Sequence, residues 1–300
     1  MTESDSKSGP VVGLALGSGS ARGWAHIGVI QELEEMGIRP GVVAGTSVGA
    51  IVGAAYVSGQ LESFAEWVES LSLRDVFSLM DISLSGGVVK GEKLFKFFSE
   101  GHSGDNIEDL EQKFVSVCTD MESGREVWIT DGSPLQAARA SCALPGLFSP
   151  VKVGERWMLD GGLVNPVPVS ACRAQGADVV IAVNLNAQLV GRHLTRVSGH
   201  EVDKEDASSE EKSIWRKMMD YFTADEGEDP TLFDVIATSI NIMQDRITRS
   251  RMAGDPPEIT LVPQLEDFAI MDFHRAKEAI EQGRQLVRDH ASDIRGWVRI

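Results

Sequence analysis

Residues 41–49, Gly41-Val42-Val43-Ala44-Gly45-Thr46-Ser47-Val48-Gly49, lead from a short apolar run into a G-x-S-x-G motif centred on Ser47. The apolar run predicts a short buried strand, and the small apolar residues 48–56 predict a buried helix after the motif. A serine on a sharp strand-to-helix turn exposes its hydroxyl, and the flanking Gly45 and Gly49 keep side chains out of that crowded turn. The helix N-terminus would favour an anion that forms at Ser47. The pattern therefore predicts a nucleophile elbow.

Strand and helix patterns alternate along the chain on both sides of this turn. Short apolar or β-branched runs predict strands, including a tight hairpin, at 11–16, 114–119, 126–130, 152–157, 178–184 and 258–262. Helical periodicity predicts helices at 24–36, 61–71, 91–98, 133–141, 232–251 and 273–290. Alternation of this kind predicts a three-layer α/β/α fold, in which helices cover both faces of a mostly parallel sheet. Ser47 would lie on a loop at one end of that sheet.

The composition excludes several functional classes. The 300 residues carry a formal net charge of −17, which argues against nucleic-acid binding and against general attraction to anionic membranes, although a local patch would still allow docking. The three cysteines, Cys118, Cys142 and Cys172, are widely spaced and predict neither a disulfide framework nor a zinc site. Residues 1–10 lack the apolar core of a signal peptide, and no apolar run reaches transmembrane length. We therefore expect a cytoplasmic protein.

The predicted domain organisation is simple. Residues 1–10 form a disordered polar lead, and residues 11–300 form one domain. Within that domain, about 187–251 is rich in charged residues, Ser and Gly, which predicts a charged insertion or lid; its acidic part, 201–212, predicts a solvated loop. Residues 213–222 place apolar side chains at helical spacing between Arg and Lys. That spacing is typical of a lid helix packed on the body, or of a helix at a lipid interface.

A glycine-rich turn, Gly17-Ser18-Gly19-Ser20-Ala21-Arg22-Gly23, joins the first predicted strand to the first predicted helix. The backbone N–H groups of such a turn converge on one point, where they bind a phosphate or an oxyanion. A dinucleotide fingerprint would need a third glycine at Arg22 and an acidic residue near Ser47, so the nucleotide interpretation is the weaker one. Arg22 fits better as a charge that fixes the loop or supports a developing anion. The candidate oxyanion residues are Gly17, Ser18, Gly19, Ser20, Arg22 and Gly23.

A third motif, Asp160-Gly161-Gly162, lies at the end of a predicted strand. Taken alone, an Asp-Gly pair is most often a turn in which the carboxylate binds its own backbone. The two glycines also allow this turn to approach another loop closely. Beside a nucleophile elbow and an oxyanion-type loop, we interpret Asp160 as a catalytic carboxylate.

The ordered set of a glycine-rich loop with Arg-Gly, a G-x-S-x-G motif and Asp-Gly-Gly resembles the patatin-like phospholipase family. The match is closest to bacterial members, which also resemble the esterase domain of neuropathy target esterase. Three flanking stretches agree with this resemblance, at residues 25–30, 140–148 and 165–168. The resemblance covers about residues 11–186 and, more loosely, 255–290. Ser18 and Ser20 depart from the commoner Gly-Gly-Gly-x-Arg-Gly loop, although the backbone N–H groups remain available.

The resemblance implies a serine lipid acyl hydrolase that acts on phospholipids, lysophospholipids or simpler carboxylic esters. Ser47 matches the family's nucleophile and Asp160 its base, in a Ser–Asp dyad, and residues 17–23 match the oxyanion loop with Gly19 as its central donor. No metal or organic cofactor is required. A lipid or lysophospholipid is the implied partner, with transient contact at a membrane surface on the inner face of the membrane.

Three alternatives stay open at this point. His274 and His290 follow Asp160 in the chain order of an α/β-hydrolase triad, so a histidine triad is the mechanistic alternative. The long charged segment 187–251 would also suit a non-catalytic regulatory or scaffolding protein that keeps the fold. Acyl transfer to an acceptor other than water would use the same residues as hydrolysis.

Overall fold

The computed structural model describes residues 9–72, 75, 106–145, 148–187, 232–265 and 267–299. Three predictions therefore lie outside the described residues: most of the polar lead, the helix at 91–98, and the charged segment from 188 to 231, which includes the candidate helix at 213–222.

A single mixed sheet forms the centre of the described part of the chain. Its strands are β1 Val12–Leu16, β2 Val42–Thr46, β3 Lys113–Asp120, β4 Glu126–Ile129, β5 Val151–Val153, β6 Arg156–Asp160, β7 Val179–Val183 and β8 Ile259–Leu261. Each strand is hydrogen-bonded to the next in the series β5-β6-β3-β2-β1-β7-β8, and β4 also pairs with β3. Strands β3, β2, β1, β7 and β8 pair in parallel with one another in that order, whereas β4 and β6 are antiparallel to β3. The sheet is therefore mostly parallel, as predicted.

Helices surround the sheet. They are α1 Ala25–Glu35, α2 Val48–Val57, α3 Leu61–Glu69, α4 Pro134–Ser141, α5 Val169–Ala174, α6 Leu232–Gly254, α7 Ala276–Asp289 and α8 Ala291–Val298. The predicted helix at 273–290 is a 3-10 turn, Phe273–Arg275, followed by α7, and the short α5 and the terminal α8 were not predicted. Within the described residues, no helix is both long enough and apolar enough to cross a membrane.

Alternate residues of the strands point into two separate cores. Leu14 and Leu16 of β1 belong to the larger core, which also contains the buried faces of α1, α2 and α7. Ala15, between them, belongs to a smaller core that contains Val169 and Ala171 of α5. Since neighbouring strand residues face opposite sides of a sheet, helices pack on both faces. This arrangement confirms the predicted three-layer α/β/α fold.

The strands that end at the predicted site share one edge of β3. Thr46, the last residue of β2, pairs with Val117, and Asp160, the last residue of β6, pairs with the next residue, Cys118. Cys118 also pairs with Val127 of β4, so β4 lies on the opposite edge and β6 continues the edge that β2 occupies. Strands β2 and β6 therefore meet end to end, which brings the residue after β2 beside the end of β6.

Helices α1 and α7 cross with their backbones in contact. A Cβ at Gly28 of α1 would fall on the carbonyl oxygen of Ile280, and a Cβ at Gly283 of α7 would fall on the carbonyl oxygen of Ala25. Glycine at both positions lets the two helices approach more closely than side chains would permit. Because α1 follows the glycine-rich turn, this crossing anchors that turn to the C-terminal part of the chain.

Candidate active site

Ser47 occupies a strained turn between β2 and α2. Its backbone has φ 56° and ψ −125°, a conformation that a non-glycine residue rarely adopts and that costs about 1–3 kcal/mol. Its N–H donates to Oγ of Ser141 at 2.7 Å, and that hydroxyl donates in turn to the Val117 carbonyl at 2.6 Å. A Cβ at Gly49 would fall on the Leu16 carbonyl, so the turn also packs tightly against β1. These contacts fix Ser47 while leaving its side chain partly exposed.

Packing also requires the glycine at Gly45, on the other side of Ser47. A Cβ at Gly45 would lie 2.5 Å from Cα of Ala50 in the first turn of α2. The structure thus places both predicted elbow glycines, Gly45 and Gly49, where any side chain would force strand and helix apart.

Asp160 lies directly beside Ser47. The Ser47 hydroxyl donates to Oδ2 of Asp160 at 2.6 Å, and the Gly162 N–H donates to Oδ1 at 2.7 Å. The carboxyl group is only 1% exposed. Burial raises the pKa of Asp160 to about 6, against the opposing effect of the hydrogen bonds from Ser47 and Gly162. A carboxylate with a pKa near neutrality is well suited to accept a proton from a neighbouring hydroxyl.

The Asp-Gly-Gly turn reaches this position because Gly161 lacks a side chain. A Cβ at Gly161 would fall on the Val117 carbonyl of β3. The Thr119 hydroxyl also donates to the Asp160 carbonyl at 2.8 Å, which fixes the end of β6. Two residues of β3, Val117 and Thr119, therefore hold the backbone of Asp160 and Gly161 in place.

The glycine-rich turn packs against the elbow. A Cβ at Gly23 would collide with the side chain of Val48, the residue after Ser47. The Gly17 N–H donates to Val183 at 3.1 Å and the Ser18 N–H to Pro166 at 2.8 Å, so both amides are already occupied by backbone carbonyls. Because these two N–H groups already donate to carbonyls, they are unsuited to bind an oxyanion.

Two amides of the turn remain available. Within the described residues, the N–H groups of Gly19 and Ser20 donate no hydrogen bond. Both residues are partly exposed, and Ser20 has φ 50°, which turns the chain sharply at this point. Gly19 and Ser20 are thus the members of residues 17–23 whose amides can still donate to a ligand.

Arg22 points toward the C-terminal part of the chain. Its Nε donates to the Leu265 carbonyl at 3.3 Å and its Nη2 to the Phe268 carbonyl at 2.5 Å. Burial lowers the pKa of Arg22 to about 10, and the nearby carboxylates of Asp272 and Asp267 oppose that effect. Of the two roles considered from the sequence, these contacts match the one in which Arg22 fixes the loop.

His26 also contacts the glycine-rich turn, a contact that the sequence did not reveal. Its Nε2 lies 2.7 Å from the Gly17 carbonyl, and because a carbonyl only accepts, Nε2 carries the hydrogen. Burial lowers the pKa of His26 to about 4, so the ring is neutral near pH 7.

Ser141 and Cys142 were also missed as site residues. They belong to a stretch that the resemblance included, but only the structure shows that Ser141 binds the Ser47 N–H. Burial raises the pKa of the Cys142 thiol well above its ordinary value, and the Asp160 charge raises that pKa further, while the Ser47 side chain lowers it. Cys142 therefore stays a neutral thiol.

One candidate for a histidine triad makes a contact away from the dyad. Nδ1 of His290 lies 2.9 Å from the Leu286 carbonyl at the end of α7. In the part of the chain that the structure describes, no group of three or more His, Cys, Asp or Glu side chains is arranged to hold a metal ion.

Several known proteins are similar to this chain. The Patatin-like phospholipase family model matches residues 14–173. An uncharacterised NTE family protein of Mycobacterium tuberculosis is 33% identical over 93% of this chain and 91% of its own length. Lysophospholipase NTE1 of Yarrowia lipolytica is 27% identical over 96% of this chain, which spans 20% of that longer protein. Among solved structures, VipD from Legionella pneumophila aligns with a TM-score of 0.44 at 15% identity, over 94% of this chain and 67% of that chain.

The family match covers more than half of the chain and includes the turn at residues 17–23, Ser47 and Asp160. The mycobacterial relative extends the similarity over nearly the whole length. Both findings agree with the resemblance inferred from the three ordered motifs. The chain belongs to the patatin-like phospholipase family.

Proposed function

We propose that the chain is a serine lipid acyl hydrolase in which Ser47 is the nucleophile and Asp160 the general base. Family membership supports lipid hydrolysis as the general activity. The observation that carries the mechanism is the 2.6 Å hydrogen bond from the Ser47 hydroxyl to Oδ2 of the buried Asp160. Ser47 is partly exposed, so its oxygen can be reached by a substrate.

In the first half-reaction, Ser47 Oγ attacks the carbonyl carbon of an ester while its proton passes to Oδ2 of Asp160. The amides of Gly19 and Ser20 donate to the tetrahedral oxyanion, and one good donor of this kind contributes about 3–4 kcal/mol. The intermediate collapses as the alcohol leaves with the proton from Asp160. The products of this step are an acyl-Ser47 ester and the free alcohol, which would be a lysophospholipid or a glycerophospho compound.

In the second half-reaction, water attacks the acyl-Ser47 carbonyl and gives a proton to Asp160. The same amides hold the second oxyanion. The Ser47 oxygen leaves, takes the proton back from Asp160, and releases the fatty acid. Both residues return to their starting protonation states, so no further reactant is consumed.

The raised pKa of Asp160 makes this mechanism reasonable without a histidine. An ordinary aspartate is a weaker base than histidine by about two to three pKa units. Burial brings the pKa of Asp160 to about 6, close to that of an ordinary histidine. The Gly162 N–H holds Oδ1, which leaves Oδ2 for proton exchange with Ser47.

The proposed substrates are lysophospholipids, phospholipids or simpler carboxylic esters, met at a lipid surface. One face of α6 supports contact with such a surface, because four large apolar side chains on it are 39–48% exposed. They are Val235, Ile236, Ile242 and Met243. Their spacing places them on the same side of a helix, and exposed apolar patches of this kind mark binding surfaces.

Fluorophosphonate labelling together with a lipid panel tests the proposal. We expect the probe to label the wild-type chain at Ser47, and mass spectrometry to detect fatty acid released from lysophosphatidylcholine or phosphatidylcholine. Ser47→Ala should lose both signals, whereas Ser63→Ala, which removes an exposed hydroxyl on α3, should keep them. A folded Ser47→Ala variant that still hydrolyses these lipids would overturn the proposal.

Two other functions predict different results in the same experiment. A non-catalytic scaffolding protein that acts through residues 187–251 would show no labelling at Ser47 between about pH 6 and 9. An acyltransferase would label at Ser47 but would release little fatty acid until an acceptor alcohol was added. The Ser47–Asp160 hydrogen bond favours an enzyme, since a binding role has no use for it.

A further inference from the structure

The side chain of Gln244, on α6, lies between the glycine-rich turn and the Asp-Gly-Gly turn. Its Oε1 accepts from the Ser18 hydroxyl at 2.9 Å and from Nδ2 of Asn186 at 2.8 Å. A Cβ at Gly162 would collide with Nε2 of Gln244, so the other end of the amide lies against Gly162. Gln244 is 5% exposed. One buried side chain from a distant helix therefore contacts both turns of the candidate site.

Each contact reaches a residue next to the proposed chemistry. Ser18 immediately precedes Gly19, whose amide is one of the two proposed oxyanion donors. Gly162 supplies the N–H that holds Oδ1 of Asp160 at 2.7 Å. Gln244 therefore influences the distance between the proposed oxyanion donors and the Asp160 carboxylate.

Asn186, just after β7, completes the buried network. Its Nδ2 donates to the Ser18 carbonyl at 3.1 Å as well as to Oε1 of Gln244. Its own N–H donates to Oδ1 of Asn184 at 3.1 Å, which fixes the turn that carries it. Hydrogen bonds of this kind between buried groups favour a single arrangement, because each bond that is left unmade is costly.

The network depends on a residue that departs from the usual family loop. Ser18 stands where glycine is commoner, and a glycine would have no hydroxyl to donate to Gln244. The bond between Ser18 and Gln244 joins residues 226 positions apart in the chain. No local sequence pattern would indicate that partnership.

We propose that Gln244 is a positioning residue that fixes the oxyanion loop relative to the Asp160 turn. It touches neither substrate nor the reacting atoms; it acts through Ser18 on one side and Gly162 on the other. This inference rests on the proposed hydrolase function. Loss of the bridge is expected to lower kcat by about 10- to 100-fold, because small displacements of catalytic groups have effects of that size.

A double-mutant cycle on the full-length chain tests the inference, with hydrolysis of a soluble short-chain ester as the assay. Gln244→Leu removes the amide at similar volume, and Ser18→Ala removes only the hydroxyl. We expect each variant to lower kcat while KM changes by less than about threefold, and the double variant to lose little more than Gln244→Leu alone. Gln285→Leu, an exposed glutamine on α7, is the matched control and should keep wild-type kcat.

The outcomes separate this inference from the proposed function. If Ser47→Ala keeps activity, the proposed function itself fails. If Ser47→Ala is inactive but folded Gln244→Leu and Ser18→Ala both keep wild-type kcat, the positioning role of Gln244 is wrong. Additive losses in the double variant, or a loss confined to thermal stability with kcat unchanged, would also overturn it. Should Gln244→Leu fail to fold, the kcat of Ser18→Ala decides.

Discussion

Thr46 and Asp160, the last residues of β2 and β6, oppose consecutive residues along one edge of β3. The polypeptide turns away from the sheet immediately after each of them, once at Ser47 and once at Gly161. Pairing with a common strand therefore sets the distance between the proposed nucleophile and base, although 113 positions separate them in the chain. Two hydrogen-bonded ladders define this distance more rigidly than two flexible loops would.

The raised pKa of Asp160 predicts an acidic limit to activity. The base must be ionised to accept the Ser47 proton, so kcat/KM should fall about tenfold per pH unit below a pKa near 6. Initial rates with a soluble ester between about pH 4.5 and 8 measure this limb. Asp160→Asn should lower kcat by about 10²- to 10⁴-fold, while Asp293→Asn on the exposed side of α8 serves as the control. A wild-type rate that stays constant down to pH 4.5 would contradict the assignment.

Asp160→Asn should also stabilise the fold above pH 6. The pKa of Asp160 rises from an ordinary 3.8 to about 6 on folding, so its contribution to stability is full below pH 4 and is lost as pH rises through 6. The penalty above pH 6 is at most about 3 kcal/mol. Urea unfolding should find the variant more stable than wild type at pH 7.5, with the difference shrinking toward pH 4. A difference independent of pH would refute this explanation.

His26 should produce the opposite pH dependence of stability. Its pKa falls from 6.5 to about 4 on folding, so its contribution is full above pH 6.5 and is lost as pH falls through 4. His26→Phe should lower stability at pH 7.5 through loss of the hydrogen bond to Gly17, and should flatten the decline of wild-type stability between pH 6.5 and 4. Thermal unfolding across this range measures both effects; an equally steep decline in the variant would contradict them.

Ser141→Ala should disturb the elbow without touching Ser47 or Asp160. The substitution leaves the Ser47 N–H and the Val117 carbonyl without their shared partner, which costs about 1–3 kcal/mol. We expect a lower urea midpoint and a slower rate of fluorophosphonate labelling at Ser47. Ser63→Ala again serves as the exposed control. Wild-type labelling and stability in Ser141→Ala would show that the elbow does not need this hydroxyl.

The exposed apolar side chains of α6 predict binding to lipid. Ile242→Glu combined with Met243→Glu should lower co-sedimentation with phosphatidylcholine vesicles by about tenfold or more, since burial of one such side chain contributes about 1.5–3 kcal/mol. Turnover of a soluble ester should not change. Ser250→Glu adds charge at an exposed position on the same helix and is the control. Equal sedimentation of the double variant and wild type would place the lipid-binding surface elsewhere.

The local parts of the site could be predicted from the sequence, and the contacts that join them could not. The elbow at Ser47 and the turn at Asp160 each consist of consecutive residues, so their motifs could be recognised in the sequence. Gln244 and Ser141 act through hydrogen bonds to residues that are distant in the chain, and such bonds leave no local pattern. For the same reason, the sequence left two roles open for Arg22, and only its bonds to Leu265 and Phe268 favour one of them.

The fold was predicted most reliably where periodicity extends over a long segment. Helix α5, at Val169–Ala174, has six residues and too few turns to show a helical pattern. Residues 273–290 read as one helix because the 3-10 turn at Phe273–Arg275 continues the apolar spacing of α7. Helix boundaries of this kind depend on backbone geometry that composition does not record.

The glycine crossing of α1 and α7 has a practical consequence for work on this protein. The family match ends at residue 173. Gly28 nevertheless packs against Ile280, and Arg22 donates to the carbonyls of Leu265 and Phe268. A recombinant fragment cut at the end of the matched region would strip these supports from the segment that carries the proposed anion-binding amides. Expression should therefore extend at least through α7, because a fragment that ends at residue 173 lacks these contacts.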